Sequence, residues 1–250
     1  MSSNKGYYNE QLLVEALNGK RYSEINHNLQ TMMRDMFAYQ NEEEIIEAEQ
    51  IKGLYKPDIS ITYKGQKVNV SVKSGSATMV HGESIRTFIQ FLRENGISSK
   101  TMKIILLFHF GDDTLDGSGP VRHNTQEIFS KLSSRIKEAN AELNANRAFI
   151  EKFVDRVMYR GIFPDSPVVD YIYFGSPEYG TVVSKKQIAT YINMKNWKYF
   201  NYLHIGPIFF KPHARYAYRE VVSNERREKV HFYWPNLGHD LDKINKRYSF

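Results

Sequence analysis

The chain has no cysteine, which excludes a disulfide framework and any zinc site held by thiolates. That absence suits a reducing cytosol. It also lacks a long apolar run: the longest, Ile104 to Phe108, is far short of the roughly 20 residues a membrane-spanning helix needs. The opening residues MSSNKGYYNE carry no apolar core of a cleaved signal peptide. A cytoplasmic protein without a membrane partner is the expectation. No internal repeat, low-complexity tract or Pro/Gly-rich linker interrupts the sequence. One domain over residues 1–250 is therefore expected.

What is present is enough apolar material for a core, with 41% hydrophobic and 14% aromatic residues. The formal charge of +6 is unevenly spread. Residues 185–250 hold 13 Lys and Arg against 5 Asp and Glu, whereas the first 184 hold 21 against 23. A basic C-terminal third beside a near-neutral remainder is what a polyanion-binding surface would give. Taken alone, the charge fits an ordinary solvated surface equally well.

Hydrophobic periodicity predicts an opening helix carrying Leu12, Leu13, Ala16 and Leu17, stopped at Asn18-Gly19. A second helix, capped by Ser23, should bury Ile25, Leu29, Met32, Met33, Met36 and Phe37, a methionine stripe that reads as core. A strand is expected over Ile45 to Gln50. The segment PDISITYKGQKVNVSVKSG then alternates polar and apolar on both sides of Lys64-Gly65, the pattern of a two-residue hairpin. A helix from about His81 to Asn95 should bury Ile85, Phe88, Ile89 and Leu92. KIILLFHF, residues 103–110, reads as a strand buried on both faces. The polar loop GDDTLDGSG follows, then helices over Thr125 to Asn146 and Arg147 to Arg160. A strand is predicted over Val168 to Phe174, a helix capped by Ser184 and a late strand near Val230 to Trp234. This order gives a mixed α/β core.

The chemistry resides in the hairpin. Alternate side chains of a strand share a face, so Asp58, Ser60 and Thr62 face one way, as do Asn69, Ser71 and Lys73. If Lys64 and Gly65 form the turn, Asp58 lies directly across from Ser71, and Lys73 is one same-face step beyond. A carboxylate beside a lysine suits phosphodiester hydrolysis, because hard oxygen ligands hold Mg²⁺. The metal polarises the phosphate and activates a bound water, and the lysine can stabilise developing charge. A single carboxylate rarely suffices, so a second acid is expected nearby.

Pro57-Asp58, the hairpin and Ser71-Val72-Lys73 resemble the PD-(D/E)xK nuclease motif found in many type II restriction endonucleases. The resemblance covers roughly Leu12 to Gly111, with a restriction-endonuclease-like core over residues 1–120 and a basic DNA-recognition portion over 185–250. It implies metal ligation by Asp58 and the catalytic-lysine role for Lys73. The acidic position two before the lysine is Ser71 here. Variants with S-x-K take the missing carboxylate from the following helix, where Glu83 is expected in the first turn. Glu83 at a helix start also favours the helix dipole without any ligand. Glu15 on the opening helix sits where this family often carries a further acid, and His81 is a candidate phosphate contact; for both, an ordinary surface or boundary role competes.

Arg122 and His123 in the polar loop, and Lys211, Arg215, Arg219, Arg226 and Arg227 in the basic third, are the candidate DNA contacts. Asp112, Asp113 and Asp116 lack the spacing of a calcium loop. The resulting expectation is a Mg²⁺-dependent, site-specific endonuclease acting on double-stranded DNA. A homodimer is expected from the two-fold symmetry of palindromic sites, with a cognate DNA methyltransferase as a possible companion. The alternatives are a DNA-binding module on a disabled nuclease fold, which Ser71 suggests, and an RNA-processing or repair nuclease.

Overall fold

The computed structural model describes residues 3–38, 41–53, 55–75, 79–119, 122–198, 202–213 and 224–248. Helices α1 (Ser3–Leu17) and α2 (His27–Met36) open the chain. Strands β1 (Glu47–Gln50), β2 (Ile59–Tyr63), β3 (Gln66–Lys73) and β4 (Met79–Ser84) follow, and then helices α3 (Ile85–Glu94), α4 (Ser99–Phe110), α5 (Thr125–Leu143) and α6 (Arg147–Val154). After α6 a π-helical turn spans Asp155–Arg160, leading to β5 (Tyr171–Gly175), β6 (Gly180–Ser184) and α7 (Lys185–Met194). The remaining elements are β7 (His204–Ile205), β8 (Ile208–Pro212), α8 (Asn224–Arg227), β9 (Lys229–Tyr233) and α9 (Leu237–Tyr248). The chain is mixed α/β, and none of its described helices is long and apolar enough to cross a membrane.

It divides into two compact units, each built from separate segments. Unit 1 comprises Met1–Thr78, Met158–Met194 and Asn236–Phe250; unit 2 comprises Met79–Val157 and Lys195–Pro235.

Unit 1 holds a five-stranded sheet in the order β1-β2-β3-β5-β6, antiparallel except where β3 runs parallel to β5. Its hairpin follows the sequence pattern. Lys64 (φ 52°) and Gly65 (φ 71°) both take positive φ, as a type I′ turn requires, and Tyr63 pairs with Gln66. The register continues through Ile61↔Val68 to Ile59↔Val70. Ile59, Ile61, Tyr63, Val70 and Val72 therefore join Leu13 and Leu17 of α1 and Leu29, Met32, Met33 and Met36 of α2 in one buried cluster. The methionine stripe is core, as its spacing predicted. On the other face, the Phe174 ring lies against Gly238 of α9, and the Tyr191 hydroxyl of α7 donates to Asp240 of α9 at 2.5 Å. Ser23 does not cap α2. It lies in a 3-10 turn, Tyr22–Glu24, and the cap is Asn26, whose side chain accepts from the Leu29 N–H at 2.9 Å.

Unit 2 holds a four-stranded antiparallel sheet in the order β4-β9-β8-β7. Phe88 of α3, Phe153 of α6, Phe210 and Phe232 form its aromatic centre, with Phe88 edge-on to Phe210 and Phe232 at 5.0 Å each. Two expectations fail here. The run KIILLFHF is the body of helix α4. Ser98 caps it through Thr101 N–H at 3.2 Å, and Gly111 ends it in the left-handed conformation (φ 63°). Ile104, Ile105 and Phe108 are buried at helical spacing while Lys103 is exposed. An apolar run of this length suits a buried strand or a buried helix alike, and the flanking caps decide. The preceding helix also starts later than expected. Residues 79–84 pair with β9 as strand β4, and Ser84 caps α3 through Thr87 N–H at 3.0 Å. Its buried face is the predicted Ile85, Phe88, Ile89 and Leu92, extended by Phe91.

Candidate active site on the β2–β3 hairpin

Asp58 stands at the start of β2 with its backbone clamped on both sides. Its N–H donates to Val70 O, and its carbonyl accepts from Ile51 N–H, each at 2.9 Å. The side chain turns toward the end of β3, where three donors converge on one oxygen. Oδ2 accepts from Val72 N–H at 2.6 Å, Ser71 Oγ at 2.9 Å and Lys73 Nζ at 3.0 Å. No described residue donates to Oδ1. The Asp58 and Lys73 side chains are 22% and 20% exposed, so the pair is reachable from solvent yet partly shielded. Lys73 Nζ also donates to Val72 O at 3.0 Å, which fixes the ammonium over the strand end. Ser71 is buried and serves Asp58 as a hydrogen-bond donor. The expected meeting of Asp58, Ser71 and Lys73 is what the hairpin delivers.

The second acid in unit 1 is Glu10, which sequence reasoning passed over. It lies on α1 at positions i−3 and i−7 from Leu13 and Leu17, the two residues that α1 buries completely, so it shares their face toward the sheet. Asn9 anchors this end of the helix by donating to Gly175 O at 2.7 Å. The Glu10 carboxyl is half-buried, and burial raises its pKa above the ordinary carboxylate range. The Asp58 charge raises it further, and Lys73 opposes both. Glu10 thus lies within the field of both hairpin side chains. The apolar pattern of α1 begins at Leu12, and an acid one turn earlier carries no signal in hydrophobicity. Only the extension of the helical face backwards by three residues marks it.

The other proposed acids have partners of their own. Glu83 is on β4 in unit 2 rather than in the first turn of a helix, because the strand runs to the Ser84 cap. Its side chain is fully buried, and its two oxygens meet Arg156, Oε2 at 2.5 Å from Nη2 and Oε1 at 3.4 Å from Nε. Glu15 is exposed on α1 and accepts from Gln11 Nε2 at 2.8 Å. His81 stacks on Phe232 with ring centroids 5.8 Å apart.

The sequence matches no protein-family model and no curated protein. The candidate site is therefore read on its own geometry. Among the described residues no group of three or more His, Asp or Glu side chains is arranged to hold a metal. Two carboxylates remain as hard-oxygen ligands: Asp58, whose Oδ1 takes no described donor, and Glu10 of α1, which feels the Asp58 charge. Such a set fits Mg²⁺, which keeps several waters and is commonly held by one or two carboxylates.

The candidate DNA contacts separate into several environments. Arg122 is buried and donates to Phe108 O at 3.0 Å and His123 O at 3.1 Å. Burial pulls its guanidinium down to about 10, against the Asp112 carboxylate. Arg227 donates to Asp112 Oδ2 at 3.0 Å and Gly119 O at 3.3 Å. Asp112 also accepts from Thr114 and from Gly119 N–H, so Arg122 and Arg227 hold the polar loop in place. His123 pairs with Asp113 at 2.9 Å. The Lys211 ammonium lies 4.3 Å from the Tyr233 ring centroid and 5.0 Å from that of Phe209. Arg226 is exposed, and Arg215 and Arg219 lie outside the described residues.

Proposed function

We propose that the protein is a Mg²⁺-dependent endonuclease that hydrolyses phosphodiester bonds of double-stranded DNA at specific sites, with a restriction-endonuclease-like core formed by unit 1. The observation that carries the reading is the convergence of Asp58 and Lys73 at 3.0 Å on the end of a register-fixed hairpin, within the field of a second acid, Glu10. The order α1, α2, β1, β2, β3 supports it up to the second motif strand, since the resembled family places an opening helix and a strand before its two motif strands; the buried strand expected after the next helix is helix α4 here. Mg²⁺, when bound, would polarise the scissile phosphate and acidify an attacking water. Asp58 Oδ1 and Glu10 would supply the protein oxygens for it. Ser71 Oγ and Val72 N–H keep Asp58 Oδ2 occupied, so the carboxylate presents its other oxygen in one orientation. Lys73 Nζ would donate to a phosphate oxygen as negative charge accumulates, the role in which a positioned cation stabilises the transition state. A homodimer on palindromic DNA and a companion methyltransferase belong to the same proposal.

The test is cleavage of mixed plasmid and phage DNA with Mg²⁺, with fragment ends sequenced and structured RNA and branched DNA run as competitors. Discrete DNA fragments from the native protein, and a rate lower by about 10²–10³ in Lys73→Ala with DNA binding retained, are expected. DNA that is shifted but never cut under any metal would replace this reading with a binding module, the alternative that Ser71 in the acid's place favours. Preferential cutting of RNA would reassign the substrate.

A further inference from the structure

On the sheet of unit 2, the side chains of β8 and β9 alternate between the aromatic centre and the opposite face. Phe210 and Phe232 turn inward. Phe209, Lys211, His231 and Tyr233 share the other face, with His213 just beyond the end of β8, held by its N–H to Lys229 O at 2.8 Å. Here three polar atoms approach one another at unusual separations. His213 Nδ1 is 3.3 Å from His231 Nδ1, and Tyr233 Oη is 3.4 Å from that same His231 nitrogen. Both distances exceed the roughly 2.7–3.2 Å of a well-formed hydrogen bond with nitrogen. The His213–His231 separation equals the edge of a coordination tetrahedron, which for imidazole–metal bonds of about 2.0–2.1 Å is about 3.3–3.4 Å.

The ring that anchors this arrangement is held in place. Gly82 is the cross-strand partner of His231, and a Cβ at position 82 would stand 3.1 Å from His231 Cδ2 and 3.5 Å from Nε2. The glycine therefore lets the ring lie flat against the neighbouring backbone on its Cδ2–Nε2 edge. Its Nδ1 edge turns toward His213, with the two ring centroids 4.3 Å apart. A ligand whose orientation is fixed before binding loses less freedom on coordination.

We propose that His213 and His231 form a transition-metal site of the Zn²⁺, Ni²⁺ or Cu²⁺ class, separate from the candidate Mg²⁺ site. The two Nδ1 atoms are the protein ligands, and waters, one of them held by the Tyr233 hydroxyl, complete the shell. Imidazole nitrogens select such borderline ions over Mg²⁺, which prefers oxygen. Lys211 is steered away from the ion, because its ammonium is held over the Tyr233 and Phe209 rings. Lys229 is paired with Glu225 at 2.7 Å.

The chain has 8 histidines, so the test must locate the ion as well as detect it. Metal-stripped full-length protein would be titrated with ZnSO₄ by calorimetry and with Cu²⁺ by electron paramagnetic resonance, with MgCl₂ as control. The expected result is one tight equivalent of Zn²⁺, unaffected by excess Mg²⁺, and a Cu²⁺ spectrum with two equivalent imidazole nitrogens. His213→Ala, at the exposed end of the strand, and His231→Gln should each weaken binding at least tenfold without changing the melting temperature of the metal-free protein. Zn²⁺ binding of equal affinity in the double variant would overturn the assignment, as would the lack of a saturable equivalent in the native protein. Either result would leave the pair as a long hydrogen bond.

Discussion

Replacing Asp58 by Asn changes little in shape and removes one charge from the centre of the candidate site. The amide oxygen can take the place of Oδ2 and still accept from Val72 N–H, Ser71 Oγ and Lys73 Nζ. Each bond then falls from the charge-assisted range of about 1.5–3 kcal/mol toward the neutral range of about 0.5–1.5 kcal/mol. About a fifth of each partner's surface is exposed, so solvent already screens the ion pair, and the summed loss should be about 1–2 kcal/mol. For a chain of this size that is a fall of roughly 2–8 °C in the melting temperature. Asp58→Ala should cost roughly a further 1–3 kcal/mol, because Val72 N–H is left without its acceptor. The Glu10 carboxyl reports independently. Without the Asp58 charge, its pKa should fall, read as a midpoint at lower pH in a ¹³C-carboxyl NMR titration. Mg²⁺-dependent cleavage should drop by at least about 10². A variant that melts and titrates like the native protein would refute the described contacts of Asp58. A variant that keeps cleaving would remove Asp58 from the proposed chemistry.

Glu10→Gln tests the second acid through pH. A carboxyl whose folded pKa is raised favours folding in its protonated form, so its contribution is complete below the unfolded pKa and is lost as pH rises through the folded value. Glu10→Gln should therefore melt above the native protein near neutrality, with the difference vanishing toward about pH 4. Added Mg²⁺ should stabilise the native protein but not the variant; equal stabilisation would place the ion elsewhere. In unit 2, Glu83→Ala strands Arg156 with 18% of its side chain exposed. A loss of about 3 kcal/mol is expected in denaturant unfolding, and a loss below about 1 kcal/mol would show that the pair is not a structural tie. Lys64→Asn puts a residue that tolerates positive φ into the turn. It should gain roughly 0.5–1 kcal/mol and leave cleavage unchanged; a loss of stability would contradict the type I′ geometry.

The hairpin was readable in the sequence because its determinants are local. Lys64-Gly65 specifies the turn, the turn specifies the register, and the register brings Asp58 to Ser71 and Lys73. The apolar faces of α2 and α3 were readable for the same reason. KIILLFHF was misread as a strand because a doubly buried run has no visible period, and Ser98 and Gly111, the caps that settle it, lie outside the run. Glu83 was misplaced because β4 ends at a cap that also resembles a helix start. Its partner Arg156 is 73 residues away, a pairing no local pattern encodes. The basic third gave a charge balance but no placement; its Arg227 holds the polar loop through Asp112, and Arg122, which lies outside that third, is tied to Phe108 O.

Strand β3 takes one neighbour from its own hairpin and the other, β5, from about a hundred residues later, in parallel register from Val70↔Tyr171 to Lys73↔Phe174. A growing chain thus carries Asp58 and Lys73 long before the strand that flanks them exists, and the first segment of unit 2, Met79–Val157, is made in between. Closing so long a loop is slow relative to hairpin formation. Truncations ending before residue 171 should therefore lack a competent site even where the hairpin forms, and any cleaving activity should emerge only late in synthesis.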